Sequence, residues 1–86
     1  MESNLSSNLR ALRKERGWTQ QALAERLGLT RPTLGAYEEG RSEPKLSVLI
    51  DIAACFNISV DALVKGTDDQ IRQHHEIHTL HLHRYH

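Results

Sequence analysis

Between Trp18 and Gly40 the chain twice sets a capping hydroxyl between two apolar residues and closes with a glycine. This restricts the segment to two short helices joined by a tight turn. Thr19 and Thr30 are the caps, since a threonine oxygen accepts a hydrogen bond from an otherwise unpaired amide of the first turn. Trp18 and Leu23 flank the first cap, and Leu29 and Leu34 the second, at the spacing at which the residue before a cap packs on the fourth helical residue. Gly28 follows Leu27 and accepts the left-handed backbone that ends a helix. Pro32 falls in the first turn of the second helix, where a missing amide donor matters little, and Gly40 stands just beyond its end. The second helix is predicted over about 31–39.

A turn this short makes the two helices cross steeply, the arrangement of a helix-turn-helix, in which the second helix is offered to the major groove of DNA. Leu34 and Tyr37, three apart, are expected to point inward, leaving Arg31, Pro32, Thr33, Gly35 and Ala36 on the other side. Arg31 is the sharpest base-reading candidate, because a guanidinium bonds two acceptors of guanine at once. Gly35 and Ala36 make no side-chain hydrogen bond and would let the helix approach closely; the alternative is that they are tolerated surface or packing positions. Pro32, Ala36 and the Thr33 methyl suit contact with thymine methyl groups.

The remaining pattern is helical too. Leu5, Leu9 and Leu12 form a stripe at helical spacing over 5–15, with Gly17 as its stop. After the loop Arg41-Ser42-Glu43-Pro44-Lys45, a fourth helix is expected to turn Leu46, Leu49, Ile50, Ala53 and Phe56 inward. Ser59 caps a short fifth helix, with Ile58 placed against Leu63 and Gly66 at its end. No strand pattern of useful length occurs, so the expected fold is all-α: a compact five-helix domain over 1–66 and a tail over 67–86.

Charge adds a link between the first and third helices. Arg13 lies four residues after Leu9 and Glu38 four after Leu34, so both are expected on inward faces, where opposite charges would meet. Two solvated surface charges are the alternative.

In this order and spacing the motifs are specific. Leu9-Arg10-Ala11-Leu12-Arg13, Gly17-Trp18-Thr19-Gln20, Leu23-Ala24, Gly28, Tyr37-Glu38-Glu39-Gly40-Arg41, Pro44 and Ile58-Ser59-Val60-Asp61-Ala62-Leu63 resemble the Xre/Cro family of lambda-repressor-like helix-turn-helix regulators, over roughly 5–66. The resemblance implies a five-helix lambda-repressor-like DNA-binding domain and a prokaryotic transcriptional regulator, a repressor by expectation. It implies that Arg31, Pro32, Thr33 and Ala36 meet base edges, and that Gln20, with Thr19 and Thr30, contacts the DNA backbone. Arg41 and Lys45 match a phosphate-contacting loop, and Arg13 and Glu38 a partly buried ion pair. Family members often carry a long polar side chain where this chain has Ala36, so discrimination here is expected to lean on Arg31 and on DNA shape.

Eleven basic residues balance eleven acidic ones, so overall charge alone does not point to nucleic acid. The distribution does: residues 1–45 carry +2, residues 46–69 carry −3 and residues 70–86 carry +1. Arg10, Lys14, Arg16 and Arg26 read as readily as solvated helix surface. A near-neutral chain binds non-specific DNA weakly, so useful affinity for double-stranded DNA calls for a homodimer on a pseudo-palindromic operator. Val48, Ile52, Cys55, Val60 and Val64 are apolar residues left over for that interface, or for the core. The single cysteine, Cys55, permits no internal disulfide and reads as a small hydrophobe. Without a signal peptide or membrane-length apolar run, the expected setting is the cytoplasm, with no membrane partner. No catalytic constellation is found, so neither an enzyme nor a cofactor is expected.

All six histidines fall in the tail, from His74 to His86. Thr67-Asp68-Asp69-Gln70 has the form of a capping box, and in a helix His74, His78 and His81 would share a face at metal-binding spacing. His75-Glu76-Ile77-His78 is one residue short of the zinc-protease motif. A disordered or appended segment explains the histidines equally, and no metal site is expected. Two other uses remain open: an antitoxin-like interaction module whose DNA binding is autoregulatory, and a metal-responsive regulator acting through the tail.

Overall fold

The computed structural model describes residues 3–67. The domain boundary, the histidine tail, its capping box and its metal-spaced face involve residues outside this range. Five helices follow in order: α1 (Leu5–Glu15), α2 (Gln20–Leu27), α3 (Arg31–Glu38), α4 (Leu46–Cys55) and α5 (Val60–Lys65), with no strand among the described residues. None of these helices is long and apolar enough to cross a membrane.

Three helices start on a side-chain cap. Thr19 accepts from the Ala22 amide at 3.0 Å, Thr30 from Thr33 at 3.3 Å and Ser59 from Ala62 at 3.0 Å. Each bond satisfies an amide that has no helical acceptor, so the start of the helix is fixed by one residue. Gly28 closes α2 at φ 68°, a left-handed conformation that a side chain would strain. Asn57 does the same work after α4 at φ 56°, a role for which asparagine is the best-suited residue after glycine.

Leu9, Leu12, Leu23, Ala24, Leu34, Ile52, Ala53, Phe56 and Leu63 make one core to which all five helices or their ends contribute. α3 packs on α1 and α2, while α4 packs on α2 and α5, and α5 returns to α1. The start of α1 and the end of α5 are joined by hydrogen bonds the sequence did not announce. Fully buried Asn8 donates through Nδ2 to the carbonyls of Leu63 at 2.9 Å and Gly66 at 2.8 Å, and Asn4 Nδ2 reaches Gly66 at 3.2 Å. α5 does end before Gly66, but that glycine is extended at φ −63° rather than left-handed. The two asparagines take up the carbonyls that a left-handed turn would otherwise satisfy.

The face of α4 differs from expectation. Leu49, Ala53 and Phe56 do lie against or within the core, but Leu46 is 66% and Ile50 51% exposed, and Ile52, read as a spare interface residue, is fully buried. Val48, Cys55 and Val60 are also packed partly against the core. α4 is apolar on nearly every side, so spacing alone does not select a face. Contacts with α2 and α5 rotate the helix toward Ile52.

Candidate nucleic-acid interface

Glu38 sits one turn after Leu34 on the inward face of α3 and is 2% exposed. Arg13 of α1 forks onto it, with Nε 2.7 Å from Oε2 and Nη2 3.1 Å from Oε1, while its Nη1 donates to the Trp18 carbonyl at 2.8 Å. Arg10 donates to the Glu38 carbonyl at 3.0 Å, and Gln20 Nε2 donates to Glu38 Oε1 at 3.2 Å. One carboxylate thus ties α1, α2 and α3 together. A buried pair of this kind adds little net stability over an apolar replacement, yet its two-point geometry permits only a narrow range of rotations of α3.

With Leu34, Gly35 and Glu38 turned inward, the N-terminal end of α3 and the side away from them are open. Arg31 and Pro32 are exposed, and Thr33 and Ala36 are half-buried. Thr30 and Thr33 hydroxyls bond each other at 2.8 Å, which stiffens the first turn of α3. Gly35 corrects the sequence reading: it is buried, and the nearest atom to a Cβ built there is Gln20 Nε2 at 3.9 Å. It belongs to the side of α3 that faces α2, not to an approach from outside.

The residues expected at a DNA backbone lie around this helix. Thr19 is the exposed cap of α2, with half-buried Gln20 beside it. Arg41 and Lys45 are exposed in the loop after α3, and Arg41 pairs with Glu39, both more than half exposed. An exposed pair of this kind is worth little and exchanges readily for a phosphate. Thr30 is committed to its cap and to Thr33.

Arg16 and Arg26, which the sequence left open between DNA contact and plain surface, are exposed but make specific contacts. Arg16 lies 5.7 Å from the Trp18 ring centre and 5.6 Å from that of Phe56, and Arg26 lies 4.1 Å from Trp18. These cations brace the corner where α1, α2 and α4 meet, since a guanidinium over an aromatic face is attracted by the ring quadrupole. Arg10 was detectable in the sequence, lying three residues before Arg13 and therefore on the same side of α1; the Gln20 contact had no such signal. Half-buried Cys55 lines a cavity with Arg26, Leu27, Asp51 and Ala54, and burial pushes its thiol pKa up against the opposing pull of Arg26 and Arg16. Among the described residues no cluster of histidine, cysteine or acidic groups could hold a metal ion.

A helix-turn-helix family model matches residues 9–63. The uncharacterized HTH-type transcriptional regulator YqaE of Bacillus subtilis is 43% identical over 65 residues, covering 76% of this chain and 56% of YqaE. The immunity repressor protein of Bacillus phage phi105 is 40% identical over 69 residues, covering 80% of this chain and 47% of the repressor. The chain thus spans about half the length of these curated relatives. Among solved structures, the P22 c2 repressor bound to a synthetic operator superposes with a TM-score of 0.69 at 27% identity, over 73% of this chain and 96% of that one. Since the matched span contains α2, α3 and the Arg13–Glu38 junction that holds them, the chain belongs to the Xre/Cro, lambda-repressor-like family of helix-turn-helix transcriptional regulators.

Proposed function

We propose that the chain is a sequence-specific double-stranded DNA-binding transcriptional regulator, a repressor, working as a homodimer on a pseudo-palindromic operator in the cytoplasm. The observation that carries this is the division of α3: Leu34, Gly35 and Glu38 anchor it, while exposed Arg31 and Pro32 stand at its N-terminal end and half-buried Thr33 and Ala36 lie away from the anchor. A helix anchored in this way is a rigid probe for a groove of about 12 Å. Arg31 reads base edges, with Pro32, Thr33 and Ala36 in apolar contact. Thr19, Gln20, Arg41 and Lys45 track phosphates on either side, while Thr30 holds the start of α3. The P22 c2 repressor, which shares the fold, was solved on an operator, and the phi105 relative is an immunity repressor, which favours repression. The role is binding rather than catalysis, and no cofactor is invoked.

Selection of bound sites from random duplex DNA tests this directly. The expected product is two inverted half-sites whose centres lie about 34 to 36 Å apart, one helical turn. A single unrepeated site contradicts the dimer, and no enrichment at low ionic strength contradicts the function.

A further inference from the structure

Gln20 stands where the proposed phosphate contact meets the buried ion pair. Its Nε2 donates to Glu38 Oε1, the same oxygen that receives Arg13 Nη2, and the Glu38 side chain is 2% exposed. A carboxylate paired with a guanidinium offers only lone pairs. It therefore determines which end of the Gln20 amide turns toward it: nitrogen inward, carbonyl oxygen away. The amide nitrogen carries two hydrogens, and only one is used by Glu38; the side chain is half-buried, so part of it remains open to solvent. Gly35 lies beside this arrangement, and a Cβ there would stand in ordinary contact with Nε2 at 3.9 Å.

We propose that Glu38 is a positioning residue for DNA-backbone recognition, holding Gln20 as a hydrogen-bond donor toward a phosphate oxygen. Without that carboxylate the amide turns freely, and half of its orientations present an acceptor to an acceptor. The ion pair that fixes α3 for base reading then also sets the polarity of the backbone contact on α2. The DNA part of this inference rests on the function proposed above.

Two measurements on the full chain test it. In the DNA-free protein, Glu38→Gln is expected to shift the Gln20 side-chain amide resonances, leaving those of Gln21, which bonds Glu25, in place as an internal reference. With a selected operator, Gln20→Ala is expected to weaken binding about tenfold on every sequence and to leave the salt slope unchanged, because a neutral amide releases no counterion. Glu38→Gln, compared at a temperature where it is folded, weakens binding too, and its added loss is expected to be smaller in the Gln20→Ala background than in the wild type, because the part that passes through Gln20 is already gone. Should Glu38→Gln not fold, Gly35→Val keeps the ion pair and crowds the amide instead. It is expected to move the same resonances and to add no loss in the Gln20→Ala background. Unmoved Gln20 resonances, or a Glu38→Gln loss that is undiminished in the Gln20→Ala background, overturn the inference while leaving DNA binding intact. A wild-type chain that ignores every duplex overturns the functional reading, and the phosphate role with it.

Discussion

α3 and α4 follow each other in the chain and are fixed in their orientations by different means. α3 starts on the Thr30 cap, and Arg13 and Gln20 grip its Glu38, so its rotation about its own axis is set by polar bonds of defined direction. α4 starts at Lys45 with no side-chain cap and is held mainly by apolar contacts. Hydrophobic burial has no direction, and a helix that is apolar all round settles where its neighbours leave space. A helix that must present one side to a partner benefits from directional anchors; one that only fills a core does not require them.

This contrast can be broken most forcefully at Glu38. Glu38→Ala leaves Arg13 and Gln20 without their shared acceptor, and is expected to lower stability by about 3 to 5 kcal/mol in chemical denaturation. A change within about 0.5 kcal/mol, the size of an ordinary surface substitution, would show that α3 does not depend on the anchor. On α4 the sharper test is a pair. Ile52→Ala should destabilise by about 2 to 5 kcal/mol, whereas Ile50→Ser, only two residues away, should stay within about 0.5 kcal/mol. Equal losses would return α4 to the face expected from spacing. The caps give the smallest effect: Thr30→Ala is expected to cost about 1 kcal/mol, and Lys45→Ala nothing measurable, since only the first removes a bonded cap.

The same contrast explains what the sequence could convey. Thr19, Thr30 and Ser59 with their flanking apolar residues make α2, α3 and α5 legible, because a cap and its staple are local and occur at fixed offsets. The inward positions of Leu34 and Glu38 were readable for a related reason: α3 carries few large apolar residues, so Leu34 marks its core side. In α4 the abundance of apolar residues hid the answer, and Leu46 and Ile50 were placed inside in error. Asn8 and the Gln20–Glu38 bond were invisible because their partners are distant in the chain, and nothing local distinguishes them from solvated amides. Gly35 looked like a groove-facing gap until the Gln20 side chain was seen beside it.

The central claim is that the open side of α3 reads bases. The most direct measurement is the affinity of wild type and Arg31→Ala for the selected operator and for a set of duplexes altered one base pair at a time. Arg31→Ala is expected to weaken operator binding by about 1 to 3 kcal/mol and to remove the preference at one position in each half-site. An equal loss on every duplex would make Arg31 a phosphate contact and contradict the claim.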